Sequence, residues 1–226
     1  MVKIDPNKPL PNHTKLRCEE CYAKILLEYF YPNKYCGLIV QDKPDLYDKC
    51  NNIGIEVVEA ADKQRKVLEK LWYTMPYVSK TKQEINKKIM EDAGEPYNEG
   101  FQIWNRPIIY DKNIDSKPFE VLYNAIKQKL KKLNCGGYKK CEHYELFVCS
   151  ELMIRNEWND KMLKRMIDIS SGENLQYEWV HISAQDSLCS YSIKDNKVMV
   201  FDIERRVQKM LANQARKIVE QGETNE

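Results

Sequence analysis

Residues 44–58 read PDLYDKCNNIGIEVV, and this stretch holds the two most informative acidic side chains of the chain. Its second half, residues 53–58, is short and rich in β-branched residues and follows Asn-Asn, a pattern typical of a strand after a turn. Residues 37–40 read GLIV and form a second strand candidate just before it. Glu56 interrupts an apolar run that should be mostly buried, where an unpaired carboxylate is unfavourable. The pattern therefore predicts two paired strands with an acidic group that needs a partner.

Asp45 and Glu56 are predicted to converge from these neighbouring strands. Strands of a sheet lie about 4.8 Å apart, so carboxylates on one face can share a divalent cation. Hard oxygen ligands favour Mg²⁺ or Mn²⁺. One alternative stays open, in which Asp45 is a turn residue and Glu56 a strand residue that faces solvent.

Hydrophobic periodicity along the rest of the chain predicts a mixed α/β fold with helices packed on a central sheet. The predicted helices cover residues 15–31, 59–75, 79–93, 116–133, 157–169 and 203–219. The predicted strands cover residues 144–150 and 179–183, a hairpin over 187–201 and a short strand-like run at 107–110.

Length and composition favour a single domain. The chain has 226 residues, 42% of them hydrophobic, and a net charge of +2. We expect a loose leader over residues 1–14, one domain over 15–219 with a helical insertion at about 62–115, and a polar tail over 220–226. Since no window approaches ~18 consecutive apolar residues, no membrane partner is expected. The first residues lack an apolar signal core, so a cytoplasmic protein with eight reduced cysteines and no zinc is predicted.

The order of these features resembles the PD-(D/E)XK, or restriction-endonuclease-like, nuclease superfamily. An N-terminal helix bearing a Glu is followed by Pro44-Asp45, by Glu56 in the next strand, and by a further helix and strand. The resemblance implies a mixed central sheet flanked by helices, and metal binding by Asp45 and Glu56. It also implies a Lys two residues after the second acid, but Val58 stands there.

Four residues outside these two strands are candidates to complete such a site. Lys129 lies beside the apolar line of the helix over residues 116–133, and the superfamily includes members in which the Lys has moved onto this helix. It either reaches the site from one side or extends along the surface with its ammonium in water. Lys63 and Gln64 are further candidates. On the first helix, Glu20 is either a third metal ligand or a solvated charge.

Local charge indicates the class of substrate. Between Asn124 and Glu142 there are six lysines and one acidic residue. Lysines beside a metal site suit a phosphodiester, so Lys131, Lys132, Lys139 and Lys140 are predicted to bind nucleic acid, DNA rather than RNA. The function predicted is metal-dependent phosphodiester hydrolysis by Asp45, Glu56 and Lys129. The alternatives are an inactive nuclease fold that binds nucleic acid or protein, and a structural protein without nucleic acid. The oligomeric state, a homodimer included, stays open.

Overall fold

The computed structural model describes residues 16–35, 37–61, 63–93 and 114–224. The helices are α1 (Cys18–Phe30), α2 (Lys63–Thr74), α3 (Lys80–Asp92), α4 (Lys117–Asn134), α5 (Asn159–Ser170) and α6 (Arg205–Thr224). The strands are β1 (Leu38–Val40), β2 (Leu46–Asp48), β3 (Ile53–Glu59), β4 (His143–Cys149), β5 (Trp179–Ser183), β6 (Ser187–Ser192) and β7 (Lys197–Asp202). None of the described helices combines the length and the apolar character that crossing a bilayer requires.

The seven strands form one mixed sheet whose spatial order is the order of the sequence. The pairs β1–β2 and β2–β3 are antiparallel, β3–β4 and β4–β5 are parallel, and β5–β6 and β6–β7 are antiparallel again. Parallel neighbours need a crossover connection, and the chain between β3 and β4 contains α4. The predicted mixed α/β class is therefore confirmed.

Each face of the sheet is covered by a pair of helices. Strand residues alternate between the faces: Leu146 and Val148 pack with α4 and α5, whereas Phe147 packs with α1 and α6. The same alternation turns Ile55 and Val57 towards α1 and Glu56 towards α4. Glu56 thus carries a carboxylate into the apolar layer between β3 and α4.

Several boundaries differ from those predicted from the sequence. Strand β3 continues to Glu59, so α2 begins at Lys63 rather than Glu59. Helix α6 continues to Thr224 and includes residues 220–224, which the polar composition assigns to the tail. The strand candidate at residues 37–40 corresponds to β1, which pairs with the further short strand β2 rather than directly with β3.

The predicted insertion is described only in part. Helices α2 and α3 pack together around Leu68, Met75 and Met90. The strand-like run at 107–110 and the leader at 1–14 lie outside the described residues. The boundaries of the insertion therefore stay a prediction.

Candidate functional site

Asp45 directly precedes β2 and lies opposite Glu56 of β3. The antiparallel register pairs Leu46 with Ile55, and one further step along it brings Asp45 opposite Glu56. Residues directly opposite on antiparallel strands present their side chains on the same face. The Val57 N–H donates a hydrogen bond to Asp45 Oδ2 at 2.7 Å, which fixes the aspartate against β3.

Lys129 reaches both carboxylates from α4. Its Nζ donates to Glu56 Oε2 at 2.6 Å and to Asp45 Oδ2 at 3.3 Å. Lys129 lies one turn beyond Ile126, which is buried against the sheet, so the lysine side chain runs along the edge of that apolar stripe. Of the two placements left open by the sequence, the structure therefore has the one in which Lys129 reaches the site. The side chains of Lys63 and Gln64 lie outside the described part of the structure.

A fourth side chain, Tyr138, completes the contacts of Glu56. Its hydroxyl donates to Glu56 Oε2 at 3.2 Å, the same oxygen that Lys129 contacts. The other oxygen, Oε1, is buried and has no hydrogen-bond partner among the described residues. Sequence reasoning missed Tyr138 as a site residue, because a loop residue after a helix has no periodic signal.

This group holds one more carboxylate than it holds cations. Two carboxylates face one ammonium, which leaves a net charge of −1 when all three are ionised. Burial raises the pKa of Glu56, and the hydrogen bond from Lys129 opposes that rise. An oxygen that is buried, anionic and unpartnered is unfavourable unless something binds it.

Glu20 lies near this group without joining it. The residue is only 8% exposed, so it is not the solvated charge that was one of its two interpretations. Burial and the charge of Asp45 raise its pKa from 4.5 to about 7. Among the described residues, however, no three His, Cys, Asp or Glu side chains form a group that could hold a metal. The geometry pairs Asp45 with Glu56, and a ligand role for Glu20 stays a prediction.

The four predicted nucleic-acid-binding lysines lie close in sequence to Lys129 and Tyr138. Lys131 and Lys132 occupy the last turn of α4, and Lys139 and Lys140 follow Tyr138; all four are exposed. The Lys139 ammonium lies 3.5 Å from the centre of the Tyr47 ring. Its backbone N–H donates to the Lys43 carbonyl at 3.2 Å, which ties this loop to the loop that precedes Asp45.

A second polar cluster lies on the opposite face of the sheet. Glu145 Oε2 accepts a hydrogen bond from the Tyr35 hydroxyl. Its Oε1 forms an ion pair with Lys34 Nζ at 2.7 Å. His181 contacts the Tyr35 hydroxyl at 3.0 Å and the Ser190 hydroxyl at 2.7 Å. Burial lowers the pKa of His181 and would raise that of Glu145, but His181 and Lys34 together lower the latter. Tyr35, Glu145, His181 and Ser190 are all buried, whereas Lys34 is partly exposed.

The described cysteines form no second centre. Those at positions Cys18, Cys21, Cys50, Cys135, Cys141, Cys149 and Cys189 are in no disulfide bond, and Cys36 lies outside the described residues. Comparison of the chain with models of protein families, with curated proteins and with solved structures found no match.

Proposed function

We propose that the protein is a metal-dependent phosphodiesterase that hydrolyses nucleic acid, DNA in the first instance, with Asp45, Glu56 and Lys129 as its catalytic residues. The observation that carries the proposal is the position of the Lys129 ammonium within hydrogen-bond distance of both carboxylates, while Glu56 Oε1 is buried without a partner among the described residues. The elements that carry these residues also agree in order with those on which the resemblance to the PD-(D/E)XK superfamily rests.

The residues present fit a hard divalent cation. Mg²⁺ is usually held by one or two carboxylates together with waters and substrate phosphate, so two carboxylates suffice. Asp45 and Glu56 would be its protein ligands, and Oε1 of Glu56 is the oxygen left available. When bound, such a cation lowers the pKa of a coordinated water and offsets negative charge on the phosphate.

The protein's own residues then have separate roles. Asp45 and Glu56 hold negative charge at a fixed position and orient the attacking water. Lys129 places a positive charge beside them, where it stabilises the charge that develops on the phosphate in the transition state. The water oxygen forms a bond to phosphorus and the bond from phosphorus to the leaving sugar oxygen breaks. The proton that the attacking water gives up is balanced by a proton that the leaving sugar oxygen takes from solvent to become a hydroxyl.

The alternative of an inactive nuclease fold rests on Val58, which removes the lysine from its usual strand position. Lys129 supplies an ammonium to the same pair of carboxylates, and this favours hydrolysis over the inactive alternative.

Calorimetric titration with Mn²⁺ and cleavage of plasmid and linear DNA with Mg²⁺ test the proposal. We expect Glu56→Gln to lose both Mn²⁺ binding and cleavage, because a neutral amide is a poor ligand for a hard dication. Glu142→Gln, the same change at an exposed residue, is the matched control and should retain both. Absence of Mn²⁺ binding by the unmodified protein would refute the metal-dependent function, and binding without cleavage would favour the inactive alternative.

A further inference from the structure

Only one of the two carboxylate oxygens of Glu56 accepts hydrogen bonds from the described residues. Lys129 and Tyr138 both donate to Oε2, at 2.6 and 3.2 Å, and Oε1 has no partner among the described residues. With both donors on one oxygen, the carboxylate cannot rotate to exchange its oxygens without breaking both hydrogen bonds. The side chain of Glu56 is 3% exposed, so water does not readily replace those bonds.

The backbone around Tyr138 is built to bring its ring back over the site. Gly136 and Gly137 follow α4 with φ of 83° and 89°, a left-handed conformation that glycine adopts without steric penalty. Neither glycine has an atom within 4 Å of where a Cβ would lie. Conformation rather than crowding is therefore the reason for glycine at both positions.

The loop after Tyr138 is fixed at several points. The Lys139 N–H donates to the Lys43 carbonyl, and the Tyr144 hydroxyl donates to the Lys139 carbonyl at 3.1 Å. The Cys141 N–H in turn donates to the Tyr144 hydroxyl at 3.0 Å. These bonds hold the loop against both β4 and the loop before Asp45, so the Tyr138 hydroxyl has a defined position.

Unlike the Tyr138 hydroxyl, the hydroxyl of Tyr177 lacks a hydrogen-bond partner among the described residues. Tyr177 is 1% exposed, and its buried hydroxyl has no hydrogen-bond partner among the described residues. Burial and the charge of Glu56 raise its pKa.

We propose that Tyr138 is a positioning residue of the metal site: it holds Oε2 of Glu56 so that Oε1 faces a divalent cation. The inference rests on the proposed function, because it concerns the ligand of the same site. Tyr138 acts through Glu56 and need not touch the substrate. Its role is comparable to that of hydrogen-bonding residues around other metal ligands, whose loss typically weakens metal affinity or activity roughly 10- to 100-fold.

The test compares Mn²⁺ affinity, kcat and KM in Tyr138→Phe with those of the unmodified protein. The phenyl ring keeps the packing, so we expect an unchanged unfolding temperature, a roughly tenfold weaker Mn²⁺ affinity, and a kcat that falls at saturating DNA while KM for DNA changes little. Tyr191→Phe is the matched control. It loses a buried hydroxyl that donates to Asn159 at 2.7 Å on the far part of the sheet, and it should lose stability while keeping Mn²⁺ affinity.

A second variant moves the hydroxyl without removing it. Gly137→Ala strains the left-handed backbone before Tyr138, so it should also weaken Mn²⁺ binding. If Tyr138→Phe and Gly137→Ala both bind Mn²⁺ as the unmodified protein does, Tyr138 is not a positioning residue, although the proposed function stands. If the unmodified protein binds no Mn²⁺, the proposed function fails and the inference fails with it.

Discussion

The protonation of Glu20 should contribute to the pH dependence of stability. Its pKa rises from 4.5 to about 7 on folding. Between those pH values the unfolded chain releases the proton and the folded chain keeps it, so the free energy of unfolding falls as pH increases. Because solvent screens part of this effect, the shift changes the free energy of unfolding by at most about 3 kcal/mol.

Glu20→Gln should therefore remove the decrease in the free energy of unfolding that Glu20 causes as pH increases. We expect the variant to gain stability relative to the unmodified protein as pH increases from about 4.5 to 7, with little further change above that range. Denaturant unfolding at a series of pH values measures the difference. Glu19→Gln, the same change on the neighbouring and more exposed side chain, should run parallel to the unmodified protein. Parallel curves for Glu20→Gln as well would contradict the prediction.

Lys129→Met separates metal binding from catalysis. Methionine keeps much of the length and packing but removes the ammonium that competes with a cation for Asp45 and Glu56. We expect Mn²⁺ affinity to be equal or higher and cleavage to fall about 10²- to 10³-fold, the usual effect of losing one group that stabilises transition-state charge. Lys127→Met, at an exposed position on the same helix, is the control. Full activity in Lys129→Met would remove the lysine from the catalytic set.

At the scale of the secondary-structure elements, Gly54 of β3 lies close to Pro44 in the loop before β2. A Cβ added to Gly54 would lie 2.8 Å from Cys141 Sγ and 3.0 Å from Pro44 Cγ. Pro44 adjoins Asp45, so Gly54→Ala should push the aspartate away from Glu56. We expect a decrease in stability of about 1–3 kcal/mol from overpacking and a several-fold weaker Mn²⁺ affinity.

Gly37→Ala provides the comparison for that change, since nothing lies within 4 Å of its added Cβ. Circular dichroism melts and Mn²⁺ titration of the two variants are sufficient. Equal metal affinity in Gly54→Ala and Gly37→Ala would mean that Asp45 is held independently of the Pro44 contact.

The sequence predicts the elements in which apolar residues recur at a regular spacing, and it identifies residues that interrupt this spacing. Strands β4 and β5 and helix α4 follow from apolar patterning, and Glu56 stands out because a carboxylate interrupts a β-branched run. Lys129 has two possible placements from sequence alone, since a lysine at the edge of an apolar stripe carries no directional signal. Tyr138 and Tyr35 lie in irregular segments, and their contacts span 82 and 110 residues of the chain, beyond any local pattern.

On the scale of the whole molecule, the exposed lysines of α4 and the following loop should govern attraction to a polyanion. Replacing Lys131, Lys132, Lys139 and Lys140 by Ala should weaken DNA binding. It should also flatten the dependence of affinity on salt, by about 0.9 for each phosphate that the protein no longer neutralises. Fluorescence anisotropy across a salt series measures both quantities.

A quadruple variant at exposed lysines elsewhere, Lys164, Lys194, Lys197 and Lys209, has the same change in net charge. It should bind more tightly and with a steeper salt dependence than the variant at the four predicted lysines. Indistinguishable salt slopes would show that only overall charge matters and that these four lysines do not form the nucleic-acid-binding surface.

Helices α1 and α6 share one apolar cluster on the sheet, and they come from opposite ends of the described chain. A Cβ on Gly222 would lie 2.9 Å from Leu16 Cδ1, so the beginning and the end of the described part of the chain lie close together. This described part is therefore a candidate for circular permutation. A short peptide could join α6 to α1, and new termini could open in the exposed turn at residues 194–196 between β6 and β7. Such a permutant would keep the described strand pairs and the Asp45–Glu56–Lys129 group, and would put a terminus at the edge of the sheet farthest from β1.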